Sequence, residues 1–391
     1  MQDKRNLLPP AFSRTPSGCL TPHATVCRMP PMTVVRRSPN HCRICRWFAI
    51  LLLAAVQPVF AQTTTPVGFA AITIQDPVNG GTMPGYVFYP TTHAGGTTRV
   101  GPYELHATRD AQPLPGAKPL VVISHGHGGS DLGHHDLAVY LASHGFVAAT
   151  LQHPHDNYLD DSGDGHPKVM VGRPIQVKAT ISMLLADARW GKLIDPDRIG
   201  VAGFSNGGYT SLLLVGAVPK FARFMGYCKA HPRDSGVCGH VGQLRASLEK
   251  QGLTVSRYLG AMQAQFHRWG NPDDPRIRAA FVMAPLSLVF DKAGAASIDR
   301  PVFLYYGQDD EVLNPDYNVL HIAPLIKTLA GIKMIPRAGH YVFLSPCSQQ
   351  LTKEAPDICI DPASVDRASA HRRIDADALA FFRKELLRST H

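Results

Sequence analysis

The pentapeptide Gly203-Phe204-Ser205-Asn206-Gly207 sets one hydroxyl between small residues. It follows a short apolar run, residues 199–204, and precedes a helix-like stretch, residues 209–216. A serine on a tight turn from a buried strand into a helix is held at strained backbone angles, beside the unpaired N–H groups and positive end of that helix. That is a nucleophile's position, although a helix-capping serine after a glycine turn shares the same letters.

A serine hydroxyl is a weak nucleophile near neutral pH and needs a base. Among the 19 histidines, His340 in MIPRAGHYVFL lies past the last expected strand. The chain order Ser, Asp, His places the base there. Between the two, PVFLYYGQDDEVLNP ends a strand and delivers Asp309 and Asp310 into a loop. One carboxylate there would fix the imidazole tautomer and stabilise the imidazolium formed during attack. Asp310 is preferred, because Gly307-x-x-Asp310 lets the chain turn before projecting the acid; Asp309 stays open and suits helix capping better. Upstream, VVISHGHGGS (121–130) is a Gly-rich run after an early strand, with backbone N–H groups that can face a ligand. The N–H groups of His127 and Asn206 are the expected oxyanion donors.

Two metal readings compete and fail on spacing. His125, His127, His134 and His135 are separated by glycine and lack the carboxylate of an H-E-x-x-H helix. DNYLDDSGDG (156–165) offers Asp160, Ser162, Asp164 and Gly165 in the order of a calcium loop, but position twelve is Val171 instead of a bidentate glutamate. It reads as a solvated loop. No metal and no cofactor is expected.

These residues need a scaffold that gathers them. Segments 68–74 and 85–89 read as an opening antiparallel pair. Continuous apolar strands are expected at 119–124, 146–151, 199–204, 278–284, 301–306 and 332–335. Helical spacing at 134–143, 175–188, 209–216, 317–329 and 372–387 alternates with them. This pattern is α/β: a mostly parallel central sheet flanked by helices, with ligand chemistry at the carboxyl ends of its strands. Residues 219–275 break the rhythm with two expected helices, 241–250 and 255–269, and read as a helical cap or lid. Tyr258, Met262, Phe266 and Trp269 form an apolar stripe there, either the lid's packing face or an acyl-binding wall.

The formal charge of +9 is unevenly placed. Residues 1–61 carry eight Lys/Arg against Asp3 alone, so the remaining 330 residues hold only +2. A nucleic-acid partner loses its electrostatic support. The leader reads as a signal peptide. Arg43 and Arg46 precede an apolar core at 47–56, and Val59 and Ala61 sit at −3 and −1 of a cleavage site before Gln62. That core reaches about 15 Å as a helix, half a bilayer's hydrocarbon, so no stable membrane span is expected. Met32 is the more conventional start, which makes residues 1–31 a gene-start artefact or a disordered extension. Arg36-Arg37 lacks the apolar residues a twin-arginine signal carries next. Cleavage removes Cys19, Cys27, Cys42 and Cys45 and leaves two close pairs, Cys228/Cys238 and Cys347/Cys359. In an exported chain these read as two local disulfides; buried free thiols are the alternative.

The segments SHGHGGS, GVAGFSNGGYTSLLL, YYGQDDEVLNP and AGHYVFL resemble the α/β-hydrolase fold, and more closely its dienelactone-hydrolase-like, platelet-activating-factor acetylhydrolase-like branch. The resemblance covers roughly residues 68–387. Dienelactone hydrolases use a cysteine nucleophile where this chain has Ser205, which puts dienelactone in doubt as substrate. The acetylhydrolases carry their acid after the preceding strand, where this chain has Met283, so Asp310 is the consistent choice. A Cys347–Cys359 bridge would brace the His340 loop. The expectation is an exported serine hydrolase (residues 62–391) acting on a small carboxylic ester. A peptidase, an acyltransferase and a non-catalytic ligand-binding homologue remain open, as does the oligomeric state.

Overall fold

Strands that are apolar on both faces must be covered on both sides. The computed structural model describes residues 64–387 except positions 94, 164, 240 and 271. The leader, its four cysteines, the Ala61–Gln62 cleavage point and Asp164 lie outside the described residues. The chain opens with β1 (Val67–Gln75) and β2 (Thr82–Pro90), then β3 (Thr98–Val100), β4 (Tyr103–Leu105) and β5 (Thr108–Arg109). It alternates next through β6 (Lys118–Ser124), α1 (His135–Ser143), β7 (Val147–Leu151), α2 (Pro167–Met170), α3 (Gly172–Ala186), β8 (Ile194–Phe204) and α4 (Asn206–Leu214). Four helices intervene: α5 (Ala222–Ala230), α6 (Ser235–Cys238), α7 (Val241–Lys250) and α8 (Val255–Arg268). The chain closes with β9 (Ile277–Met283), α9 (Lys292–Ala296), β10 (Val302–Gly307), α10 (Val319–Ile322), β11 (Leu329–Ile335), α11 (Gln349–Glu354), α12 (Pro356–Cys359) and α13 (Arg367–Leu386).

Nine of these strands form one sheet in the order β11-β10-β9-β8-β6-β7-β2-β1-β5. From β7 to β11 every neighbouring pair is parallel, while β2 joins β7, and β1 joins β2, antiparallel. The chain leaves β6 for β7 on one side and returns to β8 on the other, which creates a switch point between β6 and β8. Crevices for ligands open at such points, outside the strands' carboxyl ends. Ser124 is paired with Gly203 in this register, so the loop after β6 and the turn after β8 leave the sheet side by side.

Side-chain alternation divides the core. Leu120, Val122, Ile199 and Val201 pack with Val177, Ile181 and Leu184 of α3 and Leu212 of α4. Val121, Ile123, Ala202 and Phe204 pack with Leu137 and Leu141 of α1 and Ile374, Ala378 and Phe382 of α13. The α8 stripe turns inward: Leu259, Met262 and Phe266 are buried in the first of these clusters, with Tyr258 and Trp269 packed against it. It is a packing face.

Several boundaries differ from expectation for local reasons. The helix expected at 317–329 is only α10 and a 3-10 turn, Ala323–Leu325, after which β11 begins. Pro324 supplies no N–H and its ring clashes with a preceding turn, so the helix stops there. The closing helix starts at Arg367 because the Asp366 side chain accepts the Ser369 N–H as an N-cap. The hairpin β3–β4 was not anticipated, since its strands are three residues long and partly exposed. Among the described residues, the segment between α4 and β9 holds four helices where two were expected.

Disulfides join Cys228 to Cys238 and Cys347 to Cys359, with Cα–Cα separations of 5.5 and 5.7 Å. Two such bonds are consistent with an exported protein. Among the described residues no helix is long and apolar enough to cross a membrane.

Helix α13 rests on β8 where Gly200 carries no side chain: a Cβ there would approach Phe382 Cε1 to 2.6 Å. Phe382 is fully buried. Phe382→Ala should therefore cost about 3–5 kcal/mol of stability, read as a lower denaturant midpoint with an unchanged slope.

Candidate active site

β8 ends at Phe204 and α4 begins at Asn206, so one residue makes the whole turn. Ser205 makes it at φ +56° and ψ −115°, a conformation that L-residues rarely adopt. The backbone on either side secures it: Ser205 N–H donates to the Met283 carbonyl at 2.9 Å, and the Ser205 carbonyl accepts Leu286 N–H at 3.2 Å. Gly203 and Gly207 are required by close approach. A Cβ on Gly203 would collide with the Gly207 carbonyl, and one on Gly207 with the Ser124 carbonyl.

The Ser205 hydroxyl donates to His340 Nε2 at 2.9 Å, and His340 Nδ1–H donates to Asp310 Oδ2 at 2.7 Å. The remaining carboxylate oxygen, Oδ1, accepts Val312 N–H at 3.0 Å and Leu313 N–H at 2.7 Å, which fixes its orientation. His340 and Asp310 are buried, 2% and 4% exposed, and Ser205 is 9% exposed. Asp309 is exposed, and its backbone N–H donates to the Ala338 carbonyl. Of the two acids, Asp310 faces the imidazole.

The loop after β6 runs against this turn: a Cβ on Gly126 would lie 3.2 Å from Ser205 Cβ and 3.0 Å from Phe204 Cδ1. Gly126, the residue before His127, and Asn206, at the start of α4, thus lie next to the serine. The four histidines weighed as metal ligands have separate partners. His125 Nδ1–H donates to the Gly126 carbonyl and its Nε2 accepts His153 N–H. His127 pairs with Asp156, His134 with the Phe343 carbonyl, and His135 with the Leu132 carbonyl. Burial pushes His125 down to about 3 and His134 down to about 4, so both are neutral.

The helices between α4 and β9 reach the loops around the site. Gly236 lies flat against the Val312 carbonyl, and Tyr227 and His231 meet the Tyr317 ring with centroids 5.1 and 4.3 Å apart. Tyr258 donates its hydroxyl proton to the Gly165 carbonyl at 2.7 Å.

Spacing in the sequence did not reveal a cluster beneath the His340 turn, the half-buried Asp136 with the buried His371 and Asp375. Their potential ligand atoms lie within 4.8 Å of one another. Both His371 nitrogens are already engaged: Nδ1–H donates to Asp136, and Nε2–H donates to the Val342 carbonyl at 2.8 Å. Asp136 also accepts the Ser345 hydroxyl proton at 2.5 Å. An imidazole donating from both nitrogens is an imidazolium. Burial alone would lower its pKa, but Asp136 and then Asp375 outweigh burial and raise it to about 9. This ion pair ties α1 and α13 to the segment that carries His340. A folded pKa above the unfolded value means that the stabilisation is fully present below the unfolded value, about 6.5, and is lost as pH rises through about 9. The stability lead of the native chain over His371→Gln, measured by thermal melts, should be largest near pH 6 and shrink steadily between pH 6.5 and 9.

No family model matches the chain, and no curated protein matches it. Among solved structures, a ferulic acid esterase from Streptomyces cinnamoneus is similar, with a TM-score of 0.53 at 19% identity over 85% of this chain and 92% of that one. With the mostly parallel sheet and its flanking helices, this likeness shows the architecture: the chain has the α/β-hydrolase fold.

Proposed function

We propose that this chain is an exported serine hydrolase that cleaves carboxylic esters through an acyl-enzyme on Ser205. The observation that carries the reading is the unbroken hydrogen-bonded line from Ser205 Oγ through His340 to Asp310, at 2.9 and 2.7 Å, on a strained turn at the switch point of the sheet. His340 Nε2 takes the hydroxyl proton as Oγ attacks the ester carbonyl carbon. Asp310 holds the imidazole by its Nδ1–H and stabilises the imidazolium. The carbonyl oxygen gains negative charge between the backbone N–H groups of His127 and Asn206, where the N-terminus of α4 adds its dipole. The imidazolium then protonates the departing alcohol. Water, deprotonated by His340, attacks the acyl-enzyme and releases the acid. These steps use no cofactor or metal.

The substrate class is a small or medium ester. Likeness to a structure named as a ferulic acid esterase supports the ester reading over the peptide one. Residues 219–275 would serve as a cap: their helices rest on the loops after β7 and β10 and so border the mouth of the site. Assignment to the dienelactone-hydrolase-like branch and export after Ala61 belong to the same proposal.

A fluorophosphonate probe should label the native chain. Ser205→Ala should lose the label and about 10⁴-fold or more of p-nitrophenyl ester hydrolysis. Persistent labelling of that variant would remove Ser205 as nucleophile. An unlabelled native chain that still binds esters would favour a non-catalytic binding protein. Turnover of peptide amides in preference to esters of any chain length would favour a peptidase.

A further inference from the structure

The loop after β7 carries a buried carboxylate with no role in the triad. Asp156 is fully buried, and its two oxygens face different parts of the site. Oδ1 accepts His127 Nδ1–H at 2.5 Å and Gly128 N–H at 3.4 Å, both on the loop after β6. Oδ2 accepts Asn206 Nδ2–H at 2.8 Å, at the first residue of α4, and an N–H of Arg173. One carboxylate therefore joins the two residues assigned above as oxyanion donors, which come from different elements 79 positions apart.

We infer that Asp156 is a positioning residue that sets the distance between the two halves of the oxyanion site. The inference rests on the serine-hydrolase reading of Ser205.

The surroundings suit that task. Arg173, 1% exposed on α3, compensates the buried charge and also donates to the His125 carbonyl and, at 3.2 Å, to Ser124 Oγ. The carboxylate and guanidinium thus grip the 124–128 segment from both sides. Burial alone would raise the Asp156 carboxyl, but Arg173 first and His127 next hold it below the usual carboxylate range. It stays ionised and accepts at both oxygens. The carrier loop is itself anchored. His155 turns at φ +62°, Asn157 Nδ2–H donates to the His153 carbonyl at 2.8 Å, and Tyr158 N–H donates to the Gly129 carbonyl at 3.0 Å. Beneath it, Ser124, His153, Gln176 and Asp76 form a relay of hydrogen bonds between 2.7 and 3.2 Å. An oxyanion hole works only if its donors are held before the charge develops.

A merely structural ion pair would alter stability but not the affinity for a tetrahedral adduct. The test therefore pairs kinetics with a trifluoromethyl ketone, whose hemiketal oxyanion with Ser205 mimics the intermediate. Asp156→Asn should lower kcat about 10²-fold, leave KM within about threefold, and weaken the ketone by the same factor as kcat. If the uncompensated Arg173 prevents that variant from folding, Asn206→Ala and His127→Ala carry the test. Each keeps its backbone N–H and removes only the side chain held by Asp156. Each should lower kcat and ketone affinity together by about tenfold. In any foldable combination the losses should be less than additive, because the partners act through one carboxylate. Unchanged kcat and ketone affinity, a loss confined to KM or melting temperature, or fully additive losses would overturn the inference. Those outcomes leave Ser205 labelling intact, whereas failure of the hydrolase reading would abolish the dependence on Ser205 itself.

Discussion

The constraint on which the site depends is that β8 must become α4 through a single residue. Ser205 accepts positive φ to do so, a cost of about 1–3 kcal/mol for an L-residue. The surrounding structure offsets it. The Ser205 amide and carbonyl are held by Met283 and Leu286, two glycines remove the side chains that would collide, and Gly126 admits the neighbouring loop. Relaxing the turn would move the hydroxyl away from His340 and the start of α4 away from Ser205 together. Geometry at Ser205 is a property of the sheet's centre, not of a flexible loop.

Two ion pairs, one buried and one half-buried, extend that rigidity outward. Asp156 with Arg173 secures the loop after β6, and Asp136 with His371 secures the turn that carries His340. Buried ion pairs stabilise a fold poorly compared with apolar packing, because desolvation consumes most of their attraction. Here each pair also donates to or accepts from the backbone or side chains of segments that flank Ser205. Their contribution is directional: they fix where a loop lies when apolar contacts alone would let it slide.

The grouping of Ser205, Asp310 and His340 was legible because each follows an apolar strand, and parallel sheets gather such positions at one edge. The alternation of strands and helices along the chain was legible from the apolar runs, whereas the order of the strands within the sheet was not. What could not be read depended on partners remote in sequence. Asp156 reaches residues 29, 17 and 50 positions away, and no spacing rule links them. The one available sign was its position, five residues past the carboxyl end of an apolar strand. His371 lies just before the closing helix as expected at 372–387, and its partner Asp136 comes from α1, 235 positions away. The apolar spacing at 317–329 suits a helix, but Pro324 interrupts it and the backbone obeys the proline. The short hairpin left no trace, since three-residue strands carry too little alternation.

The strand order also bears on how three side chains remote in sequence come to meet. The hydroxyl is followed by 104 residues before Asp310 and by another 29 before His340, and His340 is braced by a helix that ends only at Leu386. Without the residues after 310, Ser205 has no imidazole to accept its hydroxyl proton. The line from Ser205 to Asp310 closes only when the segment that carries His340 is seated on the last helix, so the grouping belongs to the assembled sheet and to no contiguous piece of it.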